Sequence, residues 1–223
     1  MRLNIAIDGP VSAGKSSISD AVAKKLGILH LDTGAMYRAV GLYMLDHQVD
    51  IRDEKAVSGL CEQGLVQVDA RYEGDAQRTL LNGEDVTSRL RTQEVGGAAS
   101  AVSRYPAVRR MLVRRQQEMA RQQPMLLDGR DIGTVVLKDA TVKIYLTASP
   151  EARAKRRMLQ LREKGDQTPF EEILEEVNAR DWQDMHRETD PLRQAEDAVL
   201  VDSSDLDFNE TVNAILSLVE AKQ

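Results

Sequence analysis

Cysteine is nearly absent from this chain: among 223 residues only Cys61 carries a thiol. A single thiol makes no intramolecular disulfide, which fits a reducing compartment, and its expected place is that of a small buried hydrophobe. With three scattered histidines it makes no zinc site. No apolar run approaches the length of a membrane span. The first residues lead into a strand carrying Asp8 and not into an apolar leader, so a soluble, cytoplasmic protein is expected. Aromatic residues are scarce, and the formal net charge of −6 argues against a nucleic-acid surface spread over the molecule. The basic cluster Arg110, Arg114 and Arg115 next to Arg109 has no aromatic residues between its members and reads as a solvated helix face. No internal repeat or low-complexity tract is present. The length suits one compact body with a sizeable core and an insertion.

What is present starts at Gly9. Gly9, Pro10, Val11, Ser12, Ala13, Gly14, Lys15 and Ser16 read GPVSAGKS, a complete G-x-x-x-x-G-K-[ST] phosphate loop, with Ser17 following. It lies between the apolar run Leu3 to Ile7 and a helical stretch from Lys15 to Leu26. A strand that breaks into glycine and restarts as a helix turns backbone N–H groups inward, and the helix start adds partial positive charge. Gly14 permits close approach, Lys15 reaches the β and γ phosphates, and the Ser16 hydroxyl is placed for a magnesium ion. ATP is the expected ligand.

Four further apolar stretches, Ile28 to Leu31, Met125 to Leu127, Val142 to Leu146 and Ala198 to Val201, alternate with helical segments, predicting a parallel sheet with helical crossovers. Each strand runs into a polar residue: Asp8, Asp32, Asp128, Thr147 and Asp202 in turn. Ligands bind at that edge of an open α/β sheet. Between Val49 and Arg89 the pattern changes to LVQVDARY, the turn EGD, RTLL and the pair Asn82-Gly83, an antiparallel meander inserted into the α/β alternation. Between Lys155 and Asp184, Gly165 and Asp166 separate two charged helices, and Thr168-Pro169-Phe170-Glu171 predicts a capping box with proline at N1. This hairpin is either a mobile lid or a solvated surface element. The last helix, Phe208 to Ala221, opens with Asp207 three residues before Glu210.

Two more segments deliver charge to the sheet edge. Asp32-Thr33-Gly34-Ala35-Met36-Tyr37-Arg38 couples a strand end to a helix start, with Arg38 one turn inside for a bidentate phosphate contact. Asp128-Gly129-Arg130-Asp131 follows the third strand; Asp128 suits the water shell of magnesium, and Arg130 beside Asp131 is either a working pair or a plain ion pair.

In order and spacing GPVSAGKSS, LDTGAMYR, RTQEVGGAAS, YPAVRRMLVRRQ, LLDGRDIGTVV and RRMLQLREKG resemble the bacterial cytidylate kinases, a branch of the P-loop nucleoside monophosphate kinases, over essentially the whole chain. Val11-Ser12 and Ser17 depart slightly from the usual residues. The resemblance implies a five-stranded parallel sheet of order 2-3-1-4-5 with helices on both faces, an antiparallel monophosphate-binding insertion and a short helical lid. The units expected are core 1–48, insertion 49–89, core 90–154, lid 155–184 and core 185–223. It implies ATP as donor, Mg2+ held at Ser16 and Asp128, and CMP and dCMP as acceptors, in a monomer without nucleic-acid or membrane partners. Cytosine would be held by Thr33, Arg109 and Asp131, the sugar by Ser100, Arg180 and Asp184, and the acceptor phosphate by Arg38, Arg130 and Arg187, with Tyr37 beside them. Lys15, Arg130, Arg153, Arg157 and Arg187 would face the transferred charge. Arg180, Asp184 and Arg187, spaced i, i+4, i+7, would share one helix face. Two alternatives stay open: a nucleotide-binding switch or regulatory ATPase, which has no use for a second nucleotide site, and a small-metabolite kinase on the same fold.

Overall fold

A computed structural model describes residues 3–163 and 165–222. Met1, Arg2, Lys164 and Gln223 lie outside the described residues, and with them one position of the expected lid and the ends of the expected core. Five parallel strands form the central sheet: β1 (Asn4–Asp8), β2 (Leu29–Asp32), β6 (Met125–Gly129), β7 (Val142–Thr147) and β8 (Val199–Asp202), in spatial order β2-β6-β1-β7-β8. Counted among themselves, these strands run 2-3-1-4-5. Strand residues alternate between faces. Ala6, Leu31 and Leu127 face a large core with α2 (Thr33–Asp46), α4 (Gln93–Val102) and α5 (Pro106–Ala120). Ile5, Ile7 and Leu126 face the opposite core with α1 (Lys15–Leu26) and α8 (Phe208–Glu220). Fully burying each such aliphatic side chain contributes about 1.5–3 kcal/mol.

The registers bring the acids at the strand ends to one edge. Asp32 pairs with Asp128 across β2 and β6, while Asp8 pairs with Gly129 across β1 and β6. Parallel pairing in step makes strand ends coincide, so polar residues far apart in sequence emerge together.

The segment between α2 and α4 holds α3 (Glu54–Glu62) and a separate antiparallel sheet of β3 (Val68–Glu73), β4 (Ala76–Leu81) and β5 (Glu84–Asp85). Asn82 and Gly83 both take positive φ, 50° and 87°, as a two-residue hairpin turn requires. This sheet closes the open edge of β2 through side chains: Gln77 Oε1 accepts from the Asp32 amide at 2.7 Å, and Tyr72 Oη donates to the His30 carbonyl at 3.1 Å. Cys61 is buried in the adjoining core, and burial pushes its thiol up to about 11. Arg110, Arg114 and Arg115 pair on the surface with Glu62, Glu118 and Asp69. Arg109 turns the other way and is buried.

The hairpin of α6 (Pro150–Glu163) and α7 (Phe170–His186) has its own small apolar cluster of Ala154, Ile173 and Val177. One local expectation needs correction. Thr168 does not cap α7: its amide and hydroxyl both bond Asp166 Oδ1, at 2.9 and 2.6 Å, so the side chain is spent in an Asx turn and the cap position falls on Pro169. Arg187 is the C-cap of α7: its φ of −63° is still helical and its amide still donates to the Gln183 carbonyl at 3.0 Å, so its side chain starts from the face of Arg180 and Asp184, and the ψ of 144° turns away only the chain that follows. The Asp207–Glu210 capping box of α8 forms in both directions.

The edge closure is testable. Gln77→Ala orphans the Asp32 amide and should cost about 1 kcal/mol in denaturant unfolding, with faster amide exchange at Asp32 than in the wild type. Unchanged exchange there would mean that the side-chain bridge holds nothing.

Candidate active site

The loop after β1 passes so close to β7 that a Cβ added at Gly9 would sit 1.9 Å from the Leu146 carbonyl oxygen. Glycine is obligatory there. Gly14, with φ of 84°, ends the loop and opens α1. Lys15 folds back over the loop and donates from Nζ to the Pro10 carbonyl at 2.7 Å. Burial, followed by the nearby Arg130 charge, lowers its ammonium to about 7. A polyphosphate in the loop would add opposite charge beside this ammonium to that of Asp128, Asp184 and Asp8. Ser17 points to solvent.

Around this loop the edge is built from buried carboxylates. Asp8 accepts the Ile132 and Gly133 amides, both at 2.7 Å, and so pins the turn that carries Arg130 and Asp131. Burial pushes its carboxyl up to about 7 against the pull of those amides. Asp128 receives the Ser16 hydroxyl on Oδ2 at 2.9 Å and contacts His30 Nε2 through Oδ1 at 2.7 Å. Burial acts to raise Asp128, but His30, Lys15 and Ser16 together hold it below the usual carboxylate range. Asp128 raises His30 in return, against the opposing effect of burial. A hydroxyl and a carboxylate side by side at a phosphate loop are hard oxygen donors of the kind Mg2+ takes, with phosphates and waters as its remaining ligands. Among the described residues no group of three or more His, Cys, Asp or Glu side chains forms a cage that would hold a metal alone.

The other candidate residues fall into two neighbourhoods. Thr33, the first residue of α2, donates from Oγ1 to the Asp128 carbonyl at 2.7 Å. Arg38 lies 3.9 Å from Asp32, whose side chain caps α2. Arg109 stands over the Tyr37 ring, 5.7 Å from its centroid, and pairs with Asp131 and, at 2.8 Å, with Asp190. Arg187 faces the other oxygen of Asp131 at 3.7 Å. Arg130 donates to Asp184 at 2.7 Å, across from β6 to α7. Gln183 on α7 reaches the Ser100 carbonyl on α4 at 3.2 Å. Arg180 is lowered by burial and by the charges of Arg130, Arg38 and Arg157 around it. Neither Arg157 nor Arg180 has an ion-pair partner among the described residues. The result is a cluster of guanidinium groups beside the phosphate loop that Asp32 and Asp184 neutralise only in part, the electrostatics of a site for phosphoryl oxygens.

Arg153 is placed differently. It is buried, pairs with Asp181 through two bonds of 3.0 and 2.5 Å, and donates to the Val11 carbonyl at 3.0 Å. It therefore ties α6, α7 and the phosphate loop together. Asp8, His30, Asp181 and Asp190 were not among the sequence candidates. Asp8 carried a signal, an acid at the end of the strand that feeds the loop. His30 and Asp181 carried none beyond their position on a strand and a helix. Asp190 had only the turn-forming dipeptide Asp190-Pro191.

Residues 5–221 match the family described as cytidylate kinase. The chain is 46% identical over 217 residues to a protein of Caldicellulosiruptor saccharolyticus named cytidylate kinase, covering 97% of this chain and 95% of that one. It is 43% identical to a protein of the same name from Bacillus pumilus, covering 98% and 96%. Among solved structures, an uncharacterised protein from Eubacterium ventriosum superposes with a TM-score of 0.52 at 10% identity over 99% of both chains, a likeness of fold alone.

The buried pair of Arg153 and Asp181 gives a stability test. Asp181→Ala leaves a buried guanidinium without its anion and should cost about 3–5 kcal/mol, read from chemical denaturation. Arg153→Met combined with Asp181→Leu should recover most of that loss; a single mutant of near wild-type stability would show that the pair is solvated.

Proposed function

The chain belongs to the cytidylate kinase family, and on that premise we propose that its site transfers the γ-phosphoryl group of ATP to CMP or dCMP, giving ADP and CDP or dCDP. The observation that carries this reading is the second cluster: a complete phosphate loop stands beside a separate group of arginines that includes a buried carboxylate, Asp131. A switch or regulatory ATPase has no use for that cluster, and a small-metabolite kinase has no use for a carboxylate placed to read a base.

The phosphate loop and Lys15 bind the donor triphosphate. Ser16 and Asp128 would hold Mg2+, which when bound neutralises phosphate charge between donor oxygens. Arg38, Arg130 and Arg187 hold the acceptor phosphate, while Ser100, Arg180 and Asp184 meet the sugar. The acceptor is already an anionic phosphate oxygen at pH 7, so no strong general base is required. Alignment and cationic stabilisation by Lys15, Arg130, Arg157 and Arg187 supply the acceleration. Arg153 acts by holding α6 and α7 against the loop. Thr33, Tyr37 and Arg109 frame the base, and Asp131 accepts from the 4-amino group of cytosine where uracil offers a carbonyl that it repels. The segment 155–184 closes over the phosphates as a lid and excludes water as a competing acceptor.

Coupled assay of ADP release over CMP, dCMP, UMP, AMP and GMP tests the reading: CMP and dCMP should give the highest kcat/KM. Asp131→Ala should narrow the ratio of CMP to UMP by an amount corresponding to roughly 2 kcal/mol. Equal loss with both substrates would remove base selection from Asp131. For the lid, a bisubstrate mimic bridging donor and acceptor sites should slow amide exchange in α6 and α7 more than in the central sheet. Exchange that is slow in the free protein and unchanged by the mimic would make the hairpin a static surface element.

A further inference from the structure

Beyond α7 the chain carries an acid that no motif singled out. Asp190 has φ of 47°, in the left-handed region, directly before Pro191. A residue with a Cβ disfavours that region, and a following proline restricts it further toward extended backbone. Such a conformation persists only where its surroundings hold it. Here two arginines do so. Asp190 Oδ2 accepts from Arg109 Nε at 2.8 Å, and the Asp190 carbonyl accepts from Arg187 Nε at 2.8 Å and again from Nη2. The far side of the turn is fastened where the Leu192 amide donates to the Asp184 carbonyl at 2.8 Å. Asp131 completes the circuit, taking Arg109 Nη2 on Oδ2 and facing Arg187 with Oδ1. Arg109, Asp131, Arg187 and Asp190 thus form a ring whose formal charges cancel, closed between Arg187 and Asp190 through the Asp190 carbonyl.

We propose that Asp190 is a positioning residue that sets base selectivity, by keeping Arg109 on one oxygen of Asp131 and leaving the other for the substrate. The inference rests on the reading of Asp131 as the base-facing carboxylate. Each nitrogen of the Arg109 guanidinium has a different acceptor: Nε takes Asp190, Nη1 takes the Ser103 carbonyl at 3.1 Å, and Nη2 takes Asp131. Without the Asp190 carboxylate, Nε loses its anion and the nearest remaining one is Asp131. Guanidinium and carboxylate then favour the two-bond fork, which occupies both carboxylate oxygens. With Asp190 present, Asp131 Oδ1 has among the described residues only Arg187, at 3.7 Å, beyond hydrogen-bond reach. That oxygen is released for the cytosine amino group when Arg187 turns to the acceptor phosphate.

Two variants separate the carboxylate from the backbone. Asp190→Gly removes the carboxylate but accepts the left-handed φ and keeps the carbonyl that Arg187 uses. Asp190→Asn keeps an oxygen for Arg109 Nε and also tolerates this backbone. The measurements are kcat/KM with CMP and with UMP, KM for ATP, and crystal structures of the free variants. Asp190→Gly should narrow the CMP to UMP ratio on the order of tenfold with KM for ATP unchanged. Arg109 should be found gripping both oxygens of Asp131. Asp190→Asn should keep most of the ratio. An unchanged ratio in Asp190→Gly, while Asp131→Ala narrows it, overturns the proposal and leaves the reading of Asp131 standing. So does an equal fall with CMP and UMP, or an unmoved Arg109. If Asp131→Ala itself leaves the ratio unchanged, the reading of Asp131 fails and takes the proposal with it.

Discussion

Charge buried at the carboxyl end of the sheet is the constraint on which the rest of this structure depends. A carboxylate or guanidinium taken from water is tolerated inside a protein only with a partner or with several hydrogen bonds. The edge of the sheet is crowded with such groups, and each finds its partner on a different element. Asp8 of β1 takes the amides after β6, Asp128 of β6 takes His30 of β2 and Ser16 of α1, and Asp184 of α7 takes Arg130. Arg109 of α5 takes Asp131 and Asp190, while Arg153 of α6 takes Asp181 of α7. The pairs tie α6 to α7, α7 to the turn after β6, and α5 to the turns after β6 and α7. The site is assembled by the need to neutralise its own charges.

The same arrangement explains how a free site accepts anions. Pairing is incomplete: Arg157 and Arg180 make no ion pair among the described residues, and Lys15 leans on a backbone carbonyl. Binding a nucleotide phosphate therefore exchanges weak internal partners for a stronger one, and the gain grows because the surroundings are dry. Groups held by two carboxylate bonds, such as Arg153, are costly to pull away and belong to the frame. Groups held by a carbonyl or by a contact near 4 Å, such as Lys15, Arg187 and Arg38, are the ones free to turn toward substrate.

The insertion obeys a different rule, that of the open strand edge. β2 ends the central sheet, and its unpaired backbone would face water or another chain. Gln77 and Tyr72 from the antiparallel sheet satisfy it with side chains in place of a sixth strand. Side-chain bridging fixes the insertion beside Asp32, the cap of α2, without merging the two sheets into one rigid body of hydrogen bonds.

How much of this was legible in the sequence follows from the range over which each determinant acts. The phosphate loop, the strands ending in Asp8, Asp32 and Asp128, the Asn82-Gly83 hairpin and the Asp207–Glu210 cap are local, because backbone sterics, turn chemistry and side-chain period act within a few residues. The strand order, by contrast, was available only through resemblance. Local reasoning failed where two partners competed for one group, as when Asp166 took the Thr168 hydroxyl that the capping pattern had assigned to α7. With 30 lysines and arginines set against 36 acids, spacing names no pairs. The pairing of Arg153 with Asp181, of Arg130 with Asp184, and of Arg109 with both Asp131 and Asp190 was decided by tertiary structure alone. Burial selects among charges only after the chain has brought distant segments together, and the energy of a pair depends on the water that folding removes from around it.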